Sequence, residues 1–232
     1  MSNQQPDTSN KNTVNLTRRL VSEGLGTALL AAAVVGSGMM GERFAGDSVY
    51  LMLFAHTIGS VAGLLALILA FGHISGAHLN PAVTLSMALQ RNMRWGEAAA
   101  YMMAQGIGAF VGVAATQLMF AEPLFLASEH VRTGFPQWFS EFIAAFGLIA
   151  VIIGCSRGRP SATPFAAASY LAAAYWFTAS MCFVNPAITL ARAATHSFTG
   201  ISFESVPAFL AAQFLGAIVA TVIFSWLHRR PV

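Results

Sequence analysis

Long apolar segments dominate this 232-residue sequence and restrict what it can fold into. Only 9% of the residues are charged, whereas soluble domains carry about 25%, so the chain cannot cover a water-facing surface in the usual way. A membrane-spanning helix needs about 20 mostly apolar residues. The sequence therefore predicts an all-α membrane protein with six transmembrane helices, over residues 20–40, 48–70, 96–120, 138–156, 162–182 and 205–228.

Two further apolar pieces, residues 80–90 and 185–195, are too short to cross a membrane. At 1.5 Å per residue, each extends about 16 Å, roughly half the hydrocarbon thickness. The first piece begins with Asn80-Pro81-Ala82 and the second with Asn185-Pro186-Ala187. Asparagine is a strong N-cap and proline suits the first helical position, so each motif predicts the start of a re-entrant half-helix near the membrane midplane.

The two halves of the sequence resemble each other. The stretch SEGLGTALLAAAVVGSG (22–38) corresponds to SEFIAAFGLIAVIIGCS (140–156), and NPAVTLSMAL (80–89) corresponds to NPAITLARAA (185–194). Three spans per repeat is an odd number, so the second copy must enter the membrane inverted. Inverted repeats with broken helices are typical of transport proteins whose solute path lies at the repeat interface. We therefore predict one channel domain over residues 18–230, with repeats at about 18–120 and 138–230.

Positive charges predict the orientation of the chain, because cytoplasmic loops carry an excess of Lys and Arg. With six spans, most of them fall on one side, namely Lys11, Arg18, Arg19, Arg91, Arg94, Arg157, Arg159, Arg229 and Arg230. Both termini are therefore predicted to be cytoplasmic, in the cell (inner) membrane. Residues 1–17 are predicted to be a disordered cytoplasmic tail, and residues 121–137 an exposed connection between the repeats.

The paired motifs also predict a function. An inverted repeat brings both half-helix starts together, so that two positive helix ends and two asparagine amides point at one spot. That spot offers hydrogen-bond donors to a passing oxygen and repels cations, including hydronium. The expected consequence is passage of neutral hydroxylated solutes without protons or ions.

The sequence resembles the aquaporins, the major intrinsic protein family, across residues 18–230, and GHISGAHLNPAVTL (72–85) carries the resemblance most clearly. The resemblance implies a homotetramer in lipid, with one pore in each subunit. It also implies that Glu23 and Glu141 are buried acids that hold the backbones of the re-entrant loops. His73 and His78 flank the first loop and are expected to support it by hydrogen bonds, although His78 could also sense pH.

Counted from the two motifs, the family's selectivity filter falls on Ser60, Ala173, Cys182 and Ile188. A water-selective member would have an aromatic residue at the first position, histidine at the second and arginine at the fourth. Here all three are missing, which predicts a wider and more apolar ring. Such a ring would admit glycerol, boric acid or arsenite, either alone or together with water. The string NPAITLARAATHSFTGI (185–201) further resembles bacterial aquaporins linked to arsenic resistance.

Two residues near this filter have alternative roles. Arg192 lies four residues after Ile188, hence on the same helix face, where it could supply vestibule charge or pair with an outer-loop acid or carbonyl. Cys182 could bind soft metalloids or mercurials through its thiol, or it could be a small apolar core residue.

Other classes of protein fit the sequence less well. An ordinary water-selective aquaporin is the first alternative function. An ion-coupled transporter would place a titratable residue at the solute site, and an intramembrane hydrolase would need an oxyanion or nucleophile-elbow context around HISGAH (73–78). We predict no enzyme activity, cofactor, metal site or nucleic-acid partner.

Overall fold

The computed structural model describes residues 14–228, and these form a helical bundle without β-strands. The helices are α1 (Leu16–Ala45), α2 (Val49–Ser75), α3 (Pro81–Leu89), α4 (Trp95–Phe120), α5 (Phe135–Gly158), α6 (Thr163–Phe177), α7 (Pro186–Ala191) and α8 (Val206–Leu227). Five of these helices, α1, α2, α4, α5 and α8, are long and apolar enough to cross a membrane. The all-α fold class with two short half-helices is confirmed.

The first helix begins earlier than predicted. Asn15 acts as the N-cap, because its side-chain oxygen accepts a 2.9 Å hydrogen bond from the Arg18 amide. The predicted tail over residues 1–17 is therefore wrong for Leu16 and Thr17, which are helical. Residues 1–13 lie outside the described residues.

Each repeat is built around a closely packed pair of parallel helices, α1 with α4 and α5 with α8. Gly108 on α4 lies against the carbonyl of Gly24 on α1, and Gly216 on α8 lies against the carbonyl of Phe142 on α5. A Cβ atom at either glycine would overlap that carbonyl. The absence of a side chain therefore allows the two backbones of each pair to touch.

The half-helices α3 and α7 start at a common point and run in opposite directions. The end of α3 lies beside the end of α5, where Arg157 donates to Gln90 at 3.3 Å. The end of α7 lies beside the end of α4, where Gln117 donates to the Ala194 carbonyl at 2.8 Å. We call the end of the bundle at which α1 and α4 finish the outer end. The opposed half-helices are the arrangement expected of an inverted repeat.

The fifth predicted span, residues 162–182, is only partly helical, because α6 has 15 residues and ends at Phe177. Residues 178–184 form an irregular segment whose amides bind a buried carboxylate instead of continuing the helix. Residues 121–134 connect the repeats, as expected, but the prediction that they are exposed is wrong in part. Ser128 is buried and Arg132 is half-buried.

Candidate functional site

The two Asn-Pro-Ala motifs meet at the centre of the bundle. Asn80 caps α3 by accepting the Ala82 amide at 2.8 Å, and Asn185 caps α7 by accepting the Ala187 amide at 3.1 Å. Each asparagine also crosses to the other loop. Asn80 Nδ2 donates to the Val184 carbonyl at 3.0 Å. Asn185 Nδ2 donates to the Leu79 carbonyl at 2.7 Å. The motifs thus cap their own half-helices and join the repeats.

Glu23, which is fully buried on α1, holds the loop before α3. Its carboxylate accepts hydrogen bonds from the amides of His78 (2.9 Å) and Leu79 (2.7 Å). It also accepts the Ser75 hydroxyl at 2.7 Å and the Gln105 side-chain amide at 2.8 Å. A buried carboxylate requires such donors, and these four hydrogen bonds occupy both of its oxygens.

Glu141, which is fully buried on α5, repeats this arrangement for the loop before α7. It accepts the amides of Phe183 (2.9 Å) and Val184 (2.8 Å). The Ser180 hydroxyl donates to it at 2.5 Å and the Gln213 side-chain amide at 2.7 Å. The structure therefore places both glutamates against the backbones of the loops that they were predicted to hold.

Both loops contain non-glycine residues with left-handed backbone conformations. Ala77 and Leu79 have φ of 45° and 49°, and Cys182 and Val184 have φ of 50° and 54°. Each such residue costs on the order of 1 kcal/mol, so the loops need external support. The carboxylates supply that support, because the amides of Leu79 and Val184 are among the groups they bind.

A cavity of about 160 Å³ runs past the meeting point of the motifs. Its wall is mostly apolar and comes from both repeats. Polar side chains are spaced along it, namely those of His78, Asn80, Ser156, Thr163, Tyr175, Asn185 and Arg192. Among the described residues, no carboxylate lines this cavity.

Toward the outer end, the cavity wall contains Tyr175, Phe183 and Arg192. Only 1% of Arg192 is exposed, and its Nε donates to the Thr199 carbonyl. Its guanidinium carbon lies 3.4 Å from the centre of the Phe183 ring. Its Nη2 is buried and has no hydrogen-bond partner among the described residues. Arg192 therefore both lines the cavity and binds an outer-loop carbonyl, which combines the two alternatives expected for it.

The four predicted filter residues do not lie together. Cys182 and Ile188 are buried and line the cavity. Ser60 is buried outside the lining, and its hydroxyl lies 3.4 Å from Nδ1 of His56. Ala173 is exposed on α6 and also lies outside the lining. Counting back from the motif misplaced Ala173, because the α6 residues that line the cavity are Thr163, Ala167, Leu171 and Tyr175, and the one nearest the motif is Tyr175.

The two histidines predicted to support the first loop, His73 and His78, have different surroundings in the structure. His78 lines the cavity, and its Nδ1 lies 3.1 Å from the Thr84 hydroxyl at the start of α3, which fits a supporting role. The prediction for His73 is wrong, because its side chain is exposed on α2 and forms no hydrogen bond with any described residue.

Sequence reasoning missed four contributors to the site, Gln105, Tyr175, Phe183 and Gln213. The two glutamines had a detectable signal, since each is the single amide in the matching stretches AYMMAQGIGAFVGV (100–113) and AFLAAQFLGAIVAT (208–221). The two aromatic residues had none, because their orientation depends on where α6 ends and how the loop turns.

The sequence matches the Major intrinsic protein (MIP) family over residues 10–167, more than half of the chain. The chain belongs to the major intrinsic protein family. This major intrinsic protein is 47% identical to Aquaglyceroporin AqpS of Rhizobium meliloti over 220 residues, which covers 94% of each chain. It is 28% identical to Nodulin-26 of Glycine max, over 90% of this chain and 77% of that protein.

Among solved structures, the aquaglyceroporin from Plasmodium falciparum resembles this major intrinsic protein with a TM-score of 0.68. The similarity covers 90% of this chain and 96% of that one, at 21% sequence identity. At this identity the match supports the fold. Membership of the family identifies the molecule as a multi-pass membrane channel and not an enzyme.

Proposed function

We propose that this protein is a passive channel that conducts small neutral solutes, glycerol and metalloid hydroxides such as arsenite, together with water, and excludes protons and ions. The observation that carries the proposal is the cavity at which Asn80 and Asn185 meet. The name of the Rhizobium meliloti relative points the same way for glycerol. An ion-coupled transporter is disfavoured, because both Glu23 and Glu141 are fully engaged in holding the loops.

The asparagine pair supports selection for neutral oxygen-bearing solutes. In each amide, the oxygen binds the first turn of its own half-helix, and one N–H binds the other loop. One further N–H remains on each amide to donate to a passing oxygen. Two positive half-helix ends flank the same spot and disfavour cations. A water or hydroxyl oxygen can accept both donors, whereas hydronium is repelled.

We place the selectivity filter at Tyr175, Cys182, Phe183, Ile188 and Arg192. This set differs from the predicted ring, because Ser60 and Ala173 are absent from the cavity wall. Ile188 still occupies the position where a water-selective member has arginine, which leaves space on that side. Aromatic and aliphatic groups of this set would face the carbon skeleton of a solute, and the guanidinium of Arg192, a residue of the cavity wall, would supply donors for its hydroxyls. A polyol or a trihydroxy metalloid matches such a surface better than an ion does.

A second candidate function is an ordinary water-selective channel. The observation that favours it is the buried Arg192 guanidinium at 3.4 Å from the Phe183 ring. Arginine and aromatic groups are the components that the sequence alone had counted as missing. If they narrow the outer end to the width of a water molecule, only water would pass.

The oligomeric state, the membrane and the orientation of the chain are also proposals. We propose that the chain forms a homotetramer in the cell (inner) membrane with both termini in the cytoplasm. Large apolar side chains exposed on the single chain, such as Phe44, Met103 and Trp226, would then contact lipid or neighbouring subunits.

The test is stopped-flow light scattering on proteoliposomes challenged with glycerol, boric acid, arsenite or an impermeant osmolyte. We expect all three solutes to enter faster than into protein-free vesicles, at rates unaffected by collapse of a proton gradient. Water flux without solute entry would leave the water-selective candidate. A rate that follows the proton gradient would indicate coupled transport and contradict the proposal.

A further inference from the structure

The segment that connects the repeats, residues 121–134, is bound to the loops that follow α7. The Ser128 amide donates to the Ala193 carbonyl at 2.9 Å, and the His130 carbonyl accepts the Ser202 amide at 2.8 Å. The Arg132 amide donates to the Ser205 hydroxyl at 3.0 Å. This segment, which we call the strap, is therefore fixed against the loops that follow α7 at the outer end of the bundle.

The side chain of Arg132 extends from this strap into the turn at residues 198–200. Its Nε donates to the Gly200 carbonyl at 2.8 Å, and its Nη2 donates to the Phe198 carbonyl at 3.0 Å. The carbonyl between them, that of Thr199, is bound by Arg192. Two arginines from different parts of the chain thus hold three consecutive carbonyls. The anchor of Arg192 is fixed in place by Arg132.

The same two arginines contact the Phe183 ring. The guanidinium carbon of Arg132 lies 5.2 Å from the ring centre and that of Arg192 lies 3.4 Å from it. Both distances fall within the roughly 6 Å range of cation–π attraction. Arg132 Nη1 also contacts the Met181 sulfur at 3.4 Å, two residues before Phe183. Arg132 therefore contacts the loop backbone, the aromatic ring and the anchor of the second arginine.

Arg132 remains a cation at neutral pH. Burial lowers the pKa of Arg132 to about 10, and the carboxylate of Glu141 opposes that effect. Two like charges near one ring would separate if they were free, so the carbonyls of residues 198–200 are needed to keep both guanidiniums in place.

We propose that Arg132 is a positioning residue that sets the width of the outer constriction through Phe183 and the turn at residues 198–200. The proposal rests on the function proposed above. Without Arg132, the ring and the turn would gain freedom, and the constriction would admit larger solutes. Arg132 does not line the cavity and so acts only through its neighbours.

The test measures size discrimination, as the ratio of erythritol to glycerol permeability in proteoliposomes. This ratio does not depend on how much folded protein each preparation contains. Arg132→Ala should raise it about two- to fivefold, the factor expected from loss of one cation–π contact. Arg132→Lys keeps the charge without the planar fork, so it should give an intermediate ratio and serves alone if Arg132→Ala does not fold.

Arg43 offers a matched control at the same end of the bundle. It donates to the Phe120 carbonyl at 2.6 Å and lies 4.6 Å from the Phe120 ring centre, but it contacts no residue of the constriction. Arg43→Ala should leave the permeability ratio unchanged. In a Phe183→Ala background, Arg132→Ala should add little, because the residue through which it acts is gone.

An unchanged ratio in Arg132→Ala would overturn the proposal, and so would an equal rise with and without Phe183. Wild-type vesicles that pass water but neither polyol would refute the proposed solute function instead. In that case the gain of glycerol entry in Arg132→Ala supports the positioning role, and its absence overturns it.

Discussion

The two re-entrant loops share one backbone scaffold and carry different side chains on it. In each loop, a buried glutamate accepts a serine hydroxyl, two consecutive loop amides and a glutamine amide. The corresponding positions then diverge. His78 in the first loop packs against the Tyr101 ring, with ring centres 5.3 Å apart. Phe183 in the second loop packs against Arg132 and Arg192.

This comparison separates two tasks. The scaffold fixes where the half-helices begin, and it does so equally in both repeats. The side chains decide what chemistry faces the solute, and only the loop before α7 presents a phenylalanine ring that two arginines contact. We therefore expect changes to the scaffold to affect both loops alike. Changes to the side chains at the loop before α7 should instead alter selectivity.

The largest effect is expected from removing either glutamate. Glu23→Ala and Glu141→Ala each leave four buried donors without their acceptor, which should cost at least about 3 kcal/mol. Both variants should therefore fail to give folded protein, as judged by yield and size-exclusion profile in detergent. If one variant folds normally and the other does not, the two loops do not depend equally on their glutamates, which would contradict the comparison.

The next effect concerns the outer filter alone. Ile188→Arg adds a second guanidinium to the cavity wall beside Arg192, so glycerol permeability should fall about tenfold and water permeability less, because a narrower polar ring excludes the larger solute first. Stopped-flow rates for both solutes from one preparation give the comparison. Unchanged glycerol entry would place the filter elsewhere.

A smaller difference would sharpen the scaffold comparison. Gln105 and Gln213 occupy matching positions. Oε1 of Gln105 is buried without a hydrogen-bond partner among residues 14–228, whereas Oε1 of Gln213 accepts the Thr189 hydroxyl at 3.4 Å. Gln213→Leu should therefore destabilise the protein by about 1 kcal/mol more than Gln105→Leu. Thermal unfolding in detergent measures the difference, and equal losses would show that the unpartnered oxygen costs nothing.

The smallest effect on transport itself is expected at Cys182, which lines the cavity with a buried thiol. Cys182→Ser should abolish block by a mercurial while leaving the unblocked permeability nearly unchanged, because serine is close in size. Cys155→Ser is the matched control, since Cys155 lies on α5 outside the cavity wall and should not affect the block. A block that persists in Cys182→Ser would locate the reactive thiol elsewhere.

The sequence predicted most of the scaffold and less of the filter, for a physical reason. Hydropathy and the paired Asn-Pro motifs act locally, so the long helices and the starts of α3 and α7 were found within a few residues. The family resemblance placed Glu23 and Glu141 at the loops that they contact.

The identity of the filter residues depends on three-dimensional packing, which a local sequence pattern does not reveal. Residues 178–184 are not helical, so a count back from the motif does not determine which α6 positions face the cavity. The count selects Ala173, whereas the α6 residue nearest the motif in the cavity wall is Tyr175. The sequence also did not predict the contacts of Arg132. A polar segment has the composition of an exposed loop whether or not its arginine forms hydrogen bonds within the protein.

The central claim is that both loops share one scaffold and that the side chains around the loop before α7 determine selectivity. Its most direct test is the glycerol-to-water permeability ratio of Arg192→Met. Methionine keeps much of the length of Arg192 and its contact with the Phe183 ring, but it removes the charged guanidinium from the cavity wall. We expect the ratio to fall about tenfold, the factor equivalent to one charge-assisted hydrogen bond, with water permeability retained. A ratio equal to that of the wild type would contradict the account, because solute recognition would then not depend on Arg192.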